Sequence, residues 1–157
     1  MKLGKLFFWS IIFQIFVLNN IQYSGYINPF YYIIFIVSIR ETKLISLLLS
    51  FMMGIIIDYF SNSFGMHAFS CVLISYLRPF IYNSTKHINE DIKFMGFDFF
   101  LIRTFIIVSI HHFTLFILED FDLLNILPII MKTITSAIFT MILLMTHKAA
   151  LGTKNEI

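Results

Sequence analysis

The stretch that decides the fold is Leu44–Arg78, LISLLLSFMMGIIIDYFSNSFGMHAFSCVLISYLR. An apolar run carries Gly54 and then Asp58. A short turn of Ser61, Asn62 and Ser63 follows, and a second apolar run opens with Gly65 and His67 and closes with Tyr76 and Arg78. Each run is near the length of about 20 residues that crosses a bilayer core as a helix. The pattern is a helical hairpin with a polar tip and greasy arms.

The flanking chain has the same composition. Of its 157 residues, 59% are hydrophobic and only 13% charged, against about 25% charged in a soluble domain. A chain with so little polar surface has lipid as its solvent over much of its length. The single cysteine, Cys71, sits in an apolar run and has no intrachain partner, so no disulfide framework exists. The net charge of +2 is small, and nothing suggests a nucleic-acid surface.

Apolar runs place about six spans, at residues 3–18, 29–40, 44–60, 65–81, 99–118 and 123–145. They form a single all-α, polytopic transmembrane helical bundle over residues 1–147. Residues 82–98 form a polar linker and residues 148–157 a polar tail. The basic N-terminal run resembles a secretory signal, but Asn19, Asn20, Ile21 and Gln22 follow it instead of a small-x-small site. It reads better as a retained first span. The second span is short, either borrowing from its flanks or forming a half-span buried against protein. Pro79 ends or kinks the fourth. Asn89–Lys93 can start a short interfacial helix or belong to a loop.

Orientation follows from Lys and Arg. Lys2 and Lys5 precede span 1, and Arg40 and Lys43 join spans 2 and 3. Arg78, Lys86, Lys93 and Arg103 surround the 82–98 linker, and Lys148 and Lys154 follow span 6. The other three links carry none. Under the positive-inside rule both termini and the 82–98 linker are cytoplasmic. Lys132, about nine residues into span 6, breaks the pattern.

The polar residues within spans call for partners, because an unpaired charge at membrane depth is costly. Asp58 shares a face with Gly54 at i, i+4. It either pairs with His67 or the backbone across the hairpin, or sits hydrated among headgroups. Ser61, Asn62 and Ser63 can cap helix ends and fold the turn. Arg78 reads as a snorkelling residue at the cytoplasmic edge. Lys132 pairs with Glu119 or Asp122, reaches a lipid phosphate, or serves binding. His111 and His112 are adjacent and lack the i, i+4 spacing of a metalloprotease helix. No GxSxG, HExxH, P-loop or Rossmann pattern occurs, so no enzyme, cofactor or metal is expected.

The hairpin resembles the rod shape-determining protein MreD family. The matching residues are G-x-x-x-D (Gly54 to Asp58), the serine-bearing turn (Ser61 to Ser63), G-x-H-A (Gly65, His67, Ala68) and Y-L-R (Tyr76 to Arg78). The resemblance covers about 25 residues. It implies a non-catalytic scaffold of the bacterial inner membrane in the cell-elongation machinery for peptidoglycan. The implied partners are an MreC-like protein and, through it, the MreB filament and the RodA/penicillin-binding-protein pair, with membrane lipid around it. It also implies a bundle similar to the substrate-binding subunits of energy-coupling-factor transporters. The positions the motif marks are Asp58, Gly65, His67 and Arg78. For a scaffold, lateral contacts fall to small and polar residues along the spans: Ser70, Cys71, Ser75, Thr133, Ser136 and Thr140. The competing class is a small-solute binding or transport subunit with a pocket between helices.

Overall fold

The computed structural model describes residues 3–20, 27–39, 41–83, 96–121 and 126–152. Within them the chain is an all-α bundle: α1 (Leu3–Phe16), α2 (Ile33–Ser38), α3 (Lys43–Ser61), α4 (Met66–Asn83), α5 (Gly96–Asp120) and α6 (Ile126–Gly152). A 3-10 turn at Leu18–Asn20 extends α1. Among the described residues, four segments are long and apolar enough to cross a membrane: Leu3–Asn20, Lys43–Ser61, Leu101–Asp120 and Ile126–Ala150. Large apolar side chains on their outer faces, such as Phe8, Trp9, Leu48 and Ile142, are exposed. That arrangement suits hydrocarbon rather than water, and the chain is a multi-pass membrane protein.

The helices pack antiparallel in sequence order from α3 onward. Asp58 of α3 meets His67 and Ala68 of α4. Cys71 of α4 lies near His111 of α5. Thr140 meets His112, and Lys132 meets Glu119, across α5 and α6. The turn between α3 and α4, the end of α5 and the start of α6 therefore share one end of the bundle, the turn end. Asn19 donates to Ser61 at 3.0 Å, which brings the end of α1 there too.

Small residues set the α3–α4 spacing. Ser46, Ser50, Gly54 and Asp58 recur every four residues and are all buried, so they form one stripe. Ala68, Ser70, Cys71 and Ser75 are buried small residues of α4. In hydrocarbon, close backbone approach is what helix pairs gain from small side chains. Gly54 is the closest point. A Cβ there would lie 2.6 Å from the Ala68 nitrogen and 2.8 Å from the His67 carbonyl oxygen, and nearer still to the Ala68 Cα.

The second span differs from the expected helix over 29–40. Only Ile33–Ser38 is helical, preceded by extended chain and a turn. Tyr32, Ile33, Phe35, Ile36 and Ile39 are almost completely buried. A helix whose first four residues, Ile33 to Ile36, are apolar and buried on every side is a core element there, not a lipid-facing one. The segment runs through the bundle interior, where irregular backbone is tolerated at membrane depth because protein surrounds it. Helix ends also shift outward. α4 continues through Pro79 to Asn83, α5 begins at Gly96 and α6 extends to Gly152, into stretches expected to be linker and tail. The candidate interfacial helix at Asn89–Lys93 lies outside the described residues.

Candidate functional site

At the turn end, the chain leaves α3 through Asn62 in the left-handed region (φ 54°) and enters α4 through Phe64 (φ 49°) and Gly65 (φ 92°). Gly65 adopts this region without steric cost. These turns aim the first N–H groups of α4 back at α3. Asp58 receives them: Oδ1 accepts from the His67 nitrogen at 2.9 Å and Oδ2 from the Ala68 nitrogen at 2.8 Å. The carboxylate caps a neighbouring helix, satisfying N–H groups that have no partner within α4 and facing the positive end of its dipole.

Two side chains complete the clasp. Ser63 Oγ donates to Asp58 Oδ1 at 2.6 Å. His67 Nδ1 lies 2.8 Å from Ser63 Oγ and 3.1 Å from Asp58 Oδ1. With the serine proton spent on Asp58, both neighbours of Nδ1 act as acceptors, so Nδ1 carries hydrogen. Asp58 and His67 are 6% and 4% exposed, so the pairing, not hydration, satisfies Asp58. The serine in the clasp is Ser63. Ser61 is exposed and instead accepts from Asn19.

Beneath the clasp a second polar layer holds the irregular second segment. Gln14 Oε1 accepts from the Tyr31 nitrogen at 2.8 Å, and its amide nitrogen donates to Asn19 at 2.9 Å and to the Pro29 carbonyl at 3.3 Å. Ser136 Oγ accepts from the Asn28 nitrogen, and Thr140 Oγ1 from the Phe30 nitrogen, both at 3.0 Å. His112 Nδ1 donates to the Val108 carbonyl at 2.8 Å, which leaves Nε2 to accept from the Thr140 hydroxyl at 3.2 Å. Tyr32 Oη and His111 Nε2 share a bond of 3.0 Å. The Phe30 ring touches His67, His111 and His112, with centroids 5.4, 5.6 and 4.9 Å away. Tyr31 Oη also bonds to His147.

The remaining sequence candidates lie elsewhere. Arg78 does not snorkel freely. Its guanidinium donates to the Ile36 carbonyl at 2.7 Å, a second donor to an oxygen that also accepts from the Ile39 nitrogen at the end of α2. Tyr76 is exposed, with the Lys43 ammonium 4.4 Å from its ring centroid. Lys132 pairs with Glu119 at 3.0 Å and sits 4.4 Å from the Phe116 ring centroid. Asp122 lies outside the described residues. The expectation that Ser70, Cys71, Ser75, Thr133, Ser136 and Thr140 offer lateral contacts is corrected. All six are buried inside this chain, where they pack helices together and, in two cases, hold backbone.

Among the described residues no group of three or more His, Cys, Asp and Glu is placed to hold a metal ion. The Asp58 carboxylate and the Ser63 hydroxyl are held by hydrogen bonds within the clasp, and these fasten α3 to α4. Gln14, Ser63, Ser136 and Thr140 are the contributors that spacing did not single out as site residues. Gln14 carried the one available signal, an amide inside an otherwise apolar run. No family model, curated protein or solved structure matches the chain.

Proposed function

We propose that this protein is a non-catalytic scaffold of the bacterial inner membrane, acting with an MreC-like partner in the cell-elongation machinery that builds peptidoglycan. The observation that supports this most is the convergence of the resemblance-bearing residues. Gly54, Asp58, Gly65, His67 and Ala68 meet within one fastened hairpin head, so the motif works as a unit that presents a fixed shape. Gln14 and Asn19 tie that head to the rest of the bundle.

The proposal includes six crossings with both termini cytoplasmic. α4 has 18 residues, enough to cross beside α3. Residues 27–39 combine about four extended residues with nine in turn and helix, a reach of roughly 27 Å against a core of about 30 Å. Among the described residues, Lys5, Lys43, Arg78, Arg103 and Lys148 lie at the end opposite the turn, which is the cytoplasmic end under the positive-inside rule.

The test is depletion with cell-shape imaging, together with recovery of the MreC-like protein from solubilised membranes. Loss of rod shape and co-recovery of that partner are expected. Unchanged shape with no partner recovered would sink the proposal.

A further inference from the structure

The outer face of the α5–α6 pair carries a groove of about 530 Å³, floored by Leu101 and Phe105 of α5 and Ile138, Ile142 and Met145 of α6. A smaller groove of about 290 Å³ continues toward the turn end, between Ser109 and Phe113 and Ile130 and Ile134. The larger groove follows α6 from Ile138 to Thr146, about 12 Å of helix against a hydrocarbon leaflet of about 15 Å. Its depth is therefore that of one acyl chain.

We propose that this groove is a selective site for an anionic glycerophospholipid in the leaflet at the end opposite the turn. Charge decides between lipid classes. Met141, Met145 and Lys148 fall at i, i+4, i+7, so the exposed Lys148 continues the groove's own stripe at its mouth. Arg103 lies at the same end, but its guanidinium sits over the Tyr82 ring of α4, so Lys148 supplies the charge beside the groove. The other end of the helix pair carries Glu119, paired with Lys132, and Asp120, so these three charges leave a net negative charge there. A lysine close to the headgroup plane attracts anionic lipid through both charge and hydrogen bonding. This inference stands independently of the scaffold role.

Trp9 is the single tryptophan of the chain and lies exposed on α1. That permits a site-resolved measurement on the full-length protein in vesicles. The double substitution Trp9→Phe with Ile142→Trp places the reporter in the groove, and Trp9 in a Lys5→Gln background, which removes the exposed lysine one turn away on α1, reports an ordinary lipid face. Brominated phosphatidylglycerol and brominated phosphatidylcholine serve as quenchers. Quenching of the groove reporter should favour the anionic lipid by about fivefold, the factor for one basic residue near the surface, with no such preference at Trp9. Adding Lys148→Gln should abolish the preference. Ile138→Trp in the same Trp9→Phe background gives a second reporter should the first fail to fold. Equal quenching by both lipids at the groove reporters, or a preference unchanged by Lys148→Gln, would overturn the proposal.

Discussion

Asp58, near the end of one helix, caps the first turn of the next by accepting the Ala68 nitrogen at 2.8 Å. A capping side chain normally belongs to the helix it caps. Here the cap crosses between helices, so the hydrogen bond that finishes α4 also fixes the angle of the hairpin. Fold and site share the same atoms.

That arrangement predicts a graded response at Asp58. Asp58→Ala strands two N–H groups and the Ser63 hydroxyl, and should lower stability by about 3 kcal/mol, since each buried group left unsatisfied costs about 1–3 kcal/mol and relaxation recovers part. Asp58→Asn keeps an acceptor and should cost roughly half as much, because charge-assisted bonds are about twice as strong as neutral ones. Thermal unfolding in detergent, followed by circular dichroism, reads the order directly. Equal stability of wild type and Asp58→Ala would show that the clasp is not structural.

The two glycines of the hairpin should fail for different reasons. Gly54→Ala drives a methyl into the Ala68 backbone and must separate α3 from α4, a change of the overpacking kind that costs about 1–3 kcal/mol or more. Gly65→Ala meets no atom within 4 Å but keeps a φ of 92°, so its cost of about 1–2 kcal/mol comes from backbone strain alone. Because the atoms the Gly54 methyl meets are all backbone, removing the Ala68 side chain with Ala68→Gly should rescue neither variant. Thermal midpoints of the four variants decide the matter.

Arg78→Lys is expected to be a poor replacement despite its charge. The guanidinium reaches the Ile36 carbonyl from α4 at 2.7 Å, and a shorter, unforked ammonium loses that geometry. Loss of about 1.5–3 kcal/mol, the range for a bond to a charged group, is expected. Protease sensitivity around residues 36–43 should rise with it. A variant as stable and as resistant as wild type would leave Arg78 with only an edge-marking role.

The Lys132–Glu119 pair should matter little. Glu119 has 39% of its side chain exposed, and exposed pairs contribute about 0–1 kcal/mol. A double-mutant cycle of Lys132→Met and Glu119→Gln should return a coupling energy below about 1 kcal/mol. A markedly larger value would mean that the surroundings screen the pair far less than its exposure implies.

Much of this architecture is readable from the chain. The apolar runs stand out because lipid demands length, and Gly54 and Asp58 because four-residue spacing places them on one face. Asp58 and His67 are separated by a short turn, so their meeting is a local event. What was not readable is long-range. Nothing in the spacing links Asn28 with Ser136 or Phe30 with Thr140, more than a hundred residues apart in the chain. The direction of polar residues was also hidden. In a soluble helix the wet face betrays the buried one, but here both faces are apolar, so Ser70 and Thr140 gave no sign of pointing inward. Arg78 is ambiguous for a related reason, since a basic residue at a span's end looks the same whether it meets water or a carbonyl.

The bonds from Asn28 to Ser136 and from Phe30 to Thr140 also carry a temporal consequence. The ribosome delivers the N-terminal third long before the hydroxyls that hold it. Until α6 arrives, the backbone of this stretch has no such acceptors in the bundle. α6, made much later, therefore completes this early segment, and a nascent chain cut short before Ser136 lacks both of these fasteners.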